Sequence, residues 1–545
     1  MPQALSHNSQ SSHTLLKTPP VKSSAHPPAH PHEFLRSRCS PWLSSLVPRQ
    51  AHGRCVKWRR TLGVAVALIF LLAGAKRVLT PKGQTETMTA VTTGTTLWRH
   101  ASNHRRQTRS KRASADKIDV QVWAAYWPQW HATPLNDYWF GDGYTDWSLL
   151  CNQLRIHTGM NKNGERLIKP LPPPHGLGWY NLSDLSVRRR QGQLAKEHGL
   201  YGFAIYHFWF ERNASWGHSP HWKTGKNGAG HGADMDETLM MMLEDNEPDI
   251  PFYFVWANEA FVWKWTTWNT GRVSTLPKNA IQVPQTYPED GWRPHFDYLL
   301  PFFRHKNYHK IDGNPVFGNF MTDRPEPPAE MWDKFREWAI EAGFPGIYYI
   351  QYFHGKQKHK QAKQWEKGAS LKGRFAPWAD AVQDFGWNFG FKEHRVASKR
   401  YHEPWNYGMI VDFDNTPRNG IKAAALGGKF RGGPRHLAAG LDTLMAATVS
   451  SAEVTGRKEA MVLLIAFNEW TEQAVLEPSD RWGASYLQAI EDVLHDWGQY
   501  HYSGKRGLWN HTSVFDREHR LPTLTECGQL QKGTSQLTSG TDPMT

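Results

Sequence analysis

VQVWAAYWPQWH, residues 120–131, decides between the two folds that the pattern of the chain allows. Its first seven residues are mostly apolar, β-branched or aromatic, which predicts a buried strand. A doubly wound sheet would place a glycine-rich phosphate loop directly after this first strand. The chain instead continues with aromatic residues and a proline, so we predict a barrel of parallel strands.

Seven further short apolar or aromatic runs follow, and amphipathic stretches separate several of them. We predict eight strands, at Val120–Tyr126, Tyr201–Tyr206, Pro251–Trp256, Pro315–Phe320, Gly346–Tyr352, Ala379–Phe385, Tyr407–Phe413 and Met461–Phe467. We predict helices at Ser186–Gly199, Pro328–Gly343 and Arg435–Ser451. Eight strands with helical crossovers indicate an α/β fold, a (β/α)8 TIM-type barrel with long βα loops.

The basic character of the chain is confined to its N-terminal part. Residues 1–112 hold 18 Lys/Arg against 2 Asp/Glu, a net charge of +16. The remaining 46 Lys/Arg and 48 Asp/Glu give −2, so the bulk of the protein is close to neutral. This distribution argues against a fold that binds nucleic acid.

Residues 1–60 are rich in Ser, His and Pro, which is typical of a disordered cytoplasmic tail. The apolar segment 61–75, TLGVAVALIFLLAGA, has three interpretations: a signal-anchor, a cleaved signal peptide or a buried core helix. It follows about 60 polar residues and has no polar face, so we predict a transmembrane signal-anchor helix. The basic flank before it favours a single-pass type II protein of the Golgi or ER membrane, with the domain that follows it in the lumen.

Three further regions follow the apolar segment. We predict a basic stem at residues 76–116, the (β/α)8 domain at residues 117–500, and a C-terminal extension without a recognisable motif at residues 501–545. Within the stem, the stretch from Arg109 to Arg112 is typical of a solvated basic segment. The alternative is a dibasic processing site, at which cleavage after Arg112 would release a soluble form.

Two features are consistent with a lumenal domain. Asn181, Asn213 and Asn510 each begin an Asn-X-Ser/Thr sequon and are N-glycosylation candidates. Cys151 and Cys527 are the two cysteines after the apolar segment, and therefore the one disulfide that a lumenal domain could form.

Polar and aromatic residues follow almost every predicted strand, where a barrel of this type forms its active site. The 27 tryptophans favour a carbohydrate ligand, because the C–H faces of sugar rings pack on indoles. For each His or Asn, a role in a cap or turn is the alternative. We predict substrate-binding roles for Tyr126, His131, Trp139, Asp146, Trp147, Tyr206, His207, Trp209, Trp256, Asn258, Glu259, Asn468, Trp470 and Glu477.

Two glutamates, Glu469 and Glu472, follow directly after the apolar run of the last strand. Cleavage of a glycosidic bond needs such a pair, one as general acid and the other as nucleophile or base. The alternative is a structural pair bonded to arginine or to backbone amides. Asp412 and Asp414 imitate a metal-binding pair, but alternation at a strand end produces this pattern freely, so we predict neither a metal nor a cofactor.

Seven ordered motifs span most of residues 120–495, and together they resemble the WbsX-type glycosyltransferase family and the related glycoside hydrolase family 99 endo-α-mannosidases. The motifs are AYWPQWH (125–131), NDYWFGDGYTDW (136–147), RQGQLAKEHGLYGFAIYHFWF (190–210), PFYFVWANE (251–259), IDGNPVF (311–317), FNEWTEQAVLEP (467–478) and WGASYLQAI (482–490).

The resemblance implies a (β/α)8 fold and an active site for sugars. It implies that Glu469 acts as base on the 2-hydroxyl of the substrate, giving an anhydro-sugar intermediate and retained configuration, with Glu472 as general acid/base. The chain departs from the hydrolases at Thr471, where they usually have His, at Gln473 (Gly) and at Asp146 (Glu). Its VWKWTTW segment also replaces one that usually contains Arg.

Three functions remain open at this point. The first is a membrane-anchored enzyme of the secretory pathway that cleaves or transfers glycosyl units of glycans or polysaccharides. The second is a transferase that uses an activated sugar donor, with a metal held by Asp412 and Asp414. The third is a glycan-binding module on a degenerate barrel.

Overall fold

The structure is a computed structural model. It describes residues 118–156, 159–210, 232–262, 274–277, 279–320, 327–353, 376–386, 405–423 and 432–504. The predicted tail, signal-anchor, stem and most of the C-terminal extension lie outside these residues, as do Asn213, Asn510 and Cys527. Within the described ranges, no helix combines the length and the apolar character that crossing a membrane requires.

Eight parallel strands form a closed barrel. Each strand pairs with the next one along the chain. The last strand pairs with the first, with Val462 beside Val122, and this closes the barrel. The predicted barrel is confirmed. Its strands are β1 (Asp119–Tyr126), β2 (Gly202–His207), β3 (Phe252–Trp256), β4 (Asn314–Asn319), β5 (Tyr348–Phe353), β6 (Ala381–Asp384), β7 (Trp405–Ile410) and β8 (Glu459–Ile465).

The helices cover the outside of the barrel or build its C-terminal face. The three predicted helices are observed at Leu185–Glu197, Ala329–Glu341 and Gly433–Thr455, each with ends within a few residues of the prediction. The described helices are α1 (Pro134–Phe140), α2 (Asp146–Ile156), α3 (Leu185–Glu197), α4 (Glu237–Asp245), α5 (Trp292–Arg304), α6 (Ala329–Glu341), α7 (Thr416–Ala423), α8 (Gly433–Thr455) and α9 (Ser485–Trp497).

Both faces of each strand are covered, which explains why the strands are nearly continuous apolar runs. Tyr253 of β3 and Tyr352 of β5 lie in the interior, where their hydroxyls are 2.9 Å apart. Phe254, the next residue on β3, instead packs against Phe302 of α5 outside the barrel. Successive residues of a strand point to opposite faces, so this alternation decides which strand-end residues can reach an interior site.

The structure also contains short antiparallel strand pairs in addition to the parallel barrel. Lys310–Ile311 pairs with β4. Three further pairs are Trp209–Phe210 with Gly232–Ala233, Phe261–Val262 with Ile281–Val283, and Asn468–Glu469 with Ala474–Val475. The 3-10 turns are Glu289–Gly291 and Trp470–Glu472.

The seventh strand is shifted relative to its prediction. β7 begins at Trp405 and ends at Ile410, so Val411–Phe413 lie beyond it. The reason is local: Asp414 caps α7, and its carboxylate accepts hydrogen bonds from the Thr416 amide (3.0 Å) and hydroxyl (2.5 Å). The chain therefore leaves the sheet early to start a helix above the barrel.

Candidate active site

The two predicted catalytic residues lie on a hairpin that directly follows β8. We call residues Asn468–Val475 the glutamate hairpin; its two short strands are joined by the 3-10 turn. Gln473 ends that turn with φ of +56°, a conformation that favours glycine. Its side chain offsets this cost, since it accepts from the Ile168 amide (2.6 Å) and donates to the Trp470 carbonyl (2.9 Å).

Arg418, on α7, binds the whole turn of this hairpin. Its Nη1 donates to Glu472 Oε1 (2.7 Å), its Nη2 to Glu469 Oε2 (3.1 Å) and its Nε to Thr471 Oγ1 (2.7 Å). The Thr471 hydroxyl in turn donates to Glu469 Oε1 (2.6 Å). The planar fork of a guanidinium suits this contact, which an ammonium could not reproduce. One arginine therefore fixes both carboxylates.

The carboxylates of Asp412 and Asp414 accept hydrogen bonds from other groups of the protein. Asp414 caps α7, and its second oxygen accepts from Asn161 Nδ2 (2.8 Å). Asp412 accepts from the Tyr486 hydroxyl (3.0 Å) and the Phe413 amide (3.0 Å). In the part of the chain that the structure describes, no three His, Cys, Asp or Glu side chains are grouped as a metal site.

A third carboxylate, Asp146 at the start of α2, lies beside the pair. Trp127 Nε1 donates to its Oδ2 at 2.6 Å. Burial raises the pKa of Asp146 to about 6; Arg418 opposes this rise, and the nearby Glu469 adds to it. Asp146, which the sequence predicts as a substrate-binding residue, thus lies beside the two glutamates.

Burial also raises the pKa of Glu472, to about 7. Arg418 opposes that rise, whereas the negative charges of Glu469 and Asp146 increase it. Burial alone would lower the pKa of Arg418, but the three carboxylates raise it above its ordinary value. Burial thus raises the pKa of Glu472 beside an arginine that stays charged.

Aromatic rings continue from these carboxylates around the interior of the barrel. Trp127 contacts Tyr206 edge-on at 5.6 Å, Tyr206 contacts Phe320 at 5.4 Å, and Phe320 contacts Phe385 at 5.1 Å. Burial raises the pKa of Tyr206, and the negative charges of Glu472 and Glu469 raise it further. We call these four residues the aromatic wall. Glu259 is close enough to Tyr206 to affect the same pKa.

Several predicted binding residues lie in the hairpin or directly behind it, and they hold it in place. Asn468 accepts from the Trp127 amide (2.8 Å) and donates to its carbonyl (2.9 Å), which fixes the first βα loop. Trp147 donates to the Tyr180 carbonyl (2.7 Å), and its ring packs on Trp470. The other members of this layer, all buried, are Tyr126, Trp470 and Glu477.

Three other predicted binding residues are buried on the outer side of the barrel. His207 Nε2 is 2.9 Å from Nε2 of His295 on α5, Trp209 stacks on His295 at 4.7 Å, and Trp256 contacts it edge-on at 4.7 Å. His207 follows Tyr206 directly, so the two side chains point to opposite faces. Although the two residues are adjacent in sequence, Tyr206 therefore lies in the barrel interior and His207 on its outer side.

The remaining predicted residues lie around the rim. His131 is buried and contacts Glu237 (3.5 Å) and Thr238 (3.3 Å) of α4. The Asn258 carbonyl accepts from the Tyr287 hydroxyl at 3.0 Å. Trp139 packs, partly buried, on a small apolar cluster with Phe208. These contacts tie loops to the barrel.

The sequence analysis missed Arg418, Thr471 and Trp127 as site residues. Trp127 directly follows β1, so the same strand-end argument could have included it. Thr471 lies between the two predicted glutamates. Arg418 had no such signal, because it lies on a helix that the sequence did not predict.

The chain matches the family described as Glycosyltransferase WbsX over residues 122–221 and 231–490. Two relatives from strains of Xanthomonas campestris pv. campestris, both called uncharacterized protein WxcX, are 24% identical over 403 residues. That match covers 70% of this chain and 50% of theirs, so the chain spans about half the length of the curated relatives it matches.

Solved structures with a similar fold include a GH99 endo-α-mannosidase from Bacteroides thetaiotaomicron in complex with bis-tris-propane. It is 13% identical, with a TM-score of 0.40, over 70% of this chain and 98% of that one. A glycoside hydrolase-like protein is also 13% identical, with a TM-score of 0.38, over 69% of this chain and 94% of that one. The family match extends over more than half of the sequence, and the chain therefore belongs to the WbsX glycosyltransferase family.

Proposed function

We propose that this chain is a carbohydrate-active enzyme that acts on glycosidic bonds of glycans or polysaccharides, with Glu469 and Glu472 as its catalytic residues. One observation carries the proposal: both glutamates converge on Arg418 at the C-terminal face of a closed barrel. The adjoining aromatic wall supports a sugar as substrate, since its rings can pack on the C–H faces of a pyranose.

The environments of the two glutamates support different roles. Glu472, whose pKa is raised to about 7, can give a proton to the leaving oxygen and later take one back. Glu469 accepts hydrogen bonds from Arg418 and Thr471 on its two oxygens, an arrangement suited to a carboxylate that acts as base. This division supports the family 99-like, retaining mechanism.

In that mechanism, Glu469 removes the proton of the substrate 2-hydroxyl, and O2 attacks C1. The bond between C1 and the leaving oxygen breaks as Glu472 protonates that oxygen. Glu472 then takes a proton from water, which attacks C1 and opens the anhydro ring, while Glu469 returns the proton to O2. Two inversions at C1 give net retention. A sugar hydroxyl in place of water would make the same site a transferase.

The second candidate is a transferase that uses an activated sugar donor, and the family description favours it. The purified full chain is to be incubated with mixed cellular glycans, with and without sugar nucleotides, and the products weighed by mass spectrometry. Loss of sugar mass without a donor supports the hydrolytic proposal. Mass gained only with a sugar nucleotide supports the second candidate. Binding without turnover, unaffected by Glu469→Gln, would indicate a glycan-binding module.

The pH dependence of kcat/KM provides a separate prediction. Because Glu472 must carry a proton to act as general acid, activity is expected to fall as pH rises through its pKa of about 7. We expect a profile with its basic limb near pH 7, measured from pH 4 to 9 at fixed ionic strength. A plateau that extends unchanged to pH 9 would contradict this role for Glu472.

We also propose that the enzyme is a single-pass type II protein of the Golgi or ER membrane, with its barrel in the lumen. Cys151 is disulfide-bonded, which supports an oxidising compartment. Asn181 is partly exposed in a turn that precedes α3, where its Oδ1 accepts from the Ser183 amide at 2.8 Å. A sequon in such a surface turn is accessible to a glycosylating enzyme.

Glycosylation at Asn181 tests this orientation. Expression in eukaryotic cells, followed by N-glycosidase treatment and electrophoresis, is expected to show a mass shift that Asn181→Gln reduces by one glycan. Ser183→Ala is the matched control, since it removes the sequon and keeps the asparagine. A barrel that carries no N-glycan in any of these proteins would contradict a lumenal location.

A further inference from the structure

A second acidic centre lies directly behind the glutamate hairpin. Glu477 is only 2% exposed. Its Oε2 accepts from Trp470 Nε1 at 2.7 Å and from the Tyr180 hydroxyl at 2.9 Å, and its Oε1 accepts from Gln191 Nε2 at 2.7 Å. Both carboxylate oxygens are thus used by neutral donors of the protein.

This network extends to the barrel wall. Gln191, on α3, accepts at its Oε1 from the Tyr126 hydroxyl of β1 at 2.8 Å. Glu477 therefore joins β1, α3 and Tyr180, which lies in the loop before α3, to the hairpin through a chain of buried hydrogen bonds. Such chains restrain their members strongly, because a polar group that loses its partner in the protein interior is costly.

The member that connects this network to the proposed chemistry is Trp470. It lies between Glu469 and Thr471, and its indole is completely buried. A displacement of Trp470 would shift the adjoining backbone, which carries Glu469 and Thr471, and would change the contacts that Arg418 makes with the hairpin. The hydrogen bond that the indole donates to Glu477 restrains Trp470 against such a displacement, together with the packing of its ring on Trp147.

We propose that Glu477 is a positioning residue: through Trp470, it holds Glu469 and Glu472 in the orientation in which Arg418 bridges them. This inference rests on the proposed function of the two glutamates. It also replaces the sequence-based prediction that Glu477 binds substrate, because its carboxylate is enclosed by Trp470, Tyr180 and Gln191. The physical principle is that small displacements of catalytic groups lower turnover much more than binding.

The first test compares Glu477→Ala with Glu477→Gln in the full chain. Alanine removes every acceptor, and kcat is expected to fall about 100-fold while KM changes less than about 3-fold. Glutamine can keep its carbonyl towards Trp470 and Tyr180 and turn its amide to Gln191, whose own amide reverses and donates to the Tyr126 hydroxyl. Activity of Glu477→Gln is therefore expected to stay within about 5-fold of the parent.

The second test is a double-mutant cycle with Trp470→Phe, which removes the indole donor and keeps an aromatic ring. If Glu477 acts through Trp470, the double variant loses no more kcat than Glu477→Ala alone. Losses that multiply would overturn the inference. Glu459→Ala is the matched control: its carboxylate accepts from Gln121 Nε2 (2.8 Å) at the opposite end of the barrel, and its kcat is expected to equal that of the parent.

These results separate the inference from the proposed function. If Glu469→Gln and Glu472→Gln keep full activity, the proposed function fails. If those two variants are inactive but Glu477→Ala keeps its kcat, or raises KM alone, the positioning role is wrong. If the alanine variant does not fold, Gln191→Leu and Trp470→Phe supply the same comparison, with lower kcat and unchanged KM expected for both.

Discussion

Glu472→Gln is expected to lower kcat on a natural glycan by about 1,000-fold, in the middle of the range for loss of a general acid. The glutamine carbonyl can still accept from Arg418, so the geometry of the hairpin is kept. What is lost is the proton for the leaving oxygen. Because that need depends on the leaving group, a glycoside with an acidic aryl leaving group should recover most of its rate.

Glu469→Gln supplies the contrast for this prediction. It removes the proposed base, which an activated leaving group cannot replace, so a similar loss of about 1,000-fold should persist on both substrates. Both variants are to be assayed in parallel on a glycan and on its aryl glycoside. The assigned roles are contradicted if Glu469→Gln regains its rate on the aryl glycoside, or if Glu472→Gln does not. Thermal unfolding of each variant checks that the fold is retained.

The barrel could be predicted because buried parallel strands leave a local signal. Each of β1 to β8 is a mostly apolar run with a helix or a long loop after it, and the strand-end rule then located Glu469, Glu472 and Tyr206. Asp146 lies at the start of α2, well beyond the end of β1, so that rule does not account for it. The same rule failed at His207 and Trp256, since a strand end does not reveal which face a side chain occupies. One residue of register separates Tyr206 in the interior from His207 against α5.

Arg418 and the role of Glu477 could not be predicted from local sequence. The glutamate partners of Arg418 lie 51 and 54 residues away from it in sequence. Tyr180, a partner of Glu477, lies 297 residues away from it. Such contacts depend on how the hairpin packs against α7 and α3. The sequence-based alternative for the glutamate pair, bonding to an arginine, describes the observed contact and is compatible with catalysis.

Removing the charge of Arg418 is the second large effect that we expect. In Arg418→Met, three neighbouring carboxylates lose their common counterion, and breaking such a buried pair costs about 3 kcal/mol or more. Arg418 lowers the pKa of Glu472, so its removal raises that pKa further and shifts the pH profile of kcat/KM towards alkaline pH. We also expect kcat to fall about 100-fold at the parent's optimum, because neither glutamate is then held in place.

The sign of the stability change distinguishes this electrostatic role from simple packing. Carboxyl groups whose folded pKa is raised stabilise the fold while protonated, and that contribution is lost as pH rises through the raised pKa. The loss of melting temperature in Arg418→Met should therefore be larger at pH 8 than at pH 5, where the carboxyls can hold protons. Arg418→Lys keeps the charge without the three-way fork. Arg418→Lys should therefore keep the pH profile of the parent with a lower kcat. If Arg418→Met instead loses the same melting temperature at pH 5 and at pH 8, Arg418 acts by packing alone.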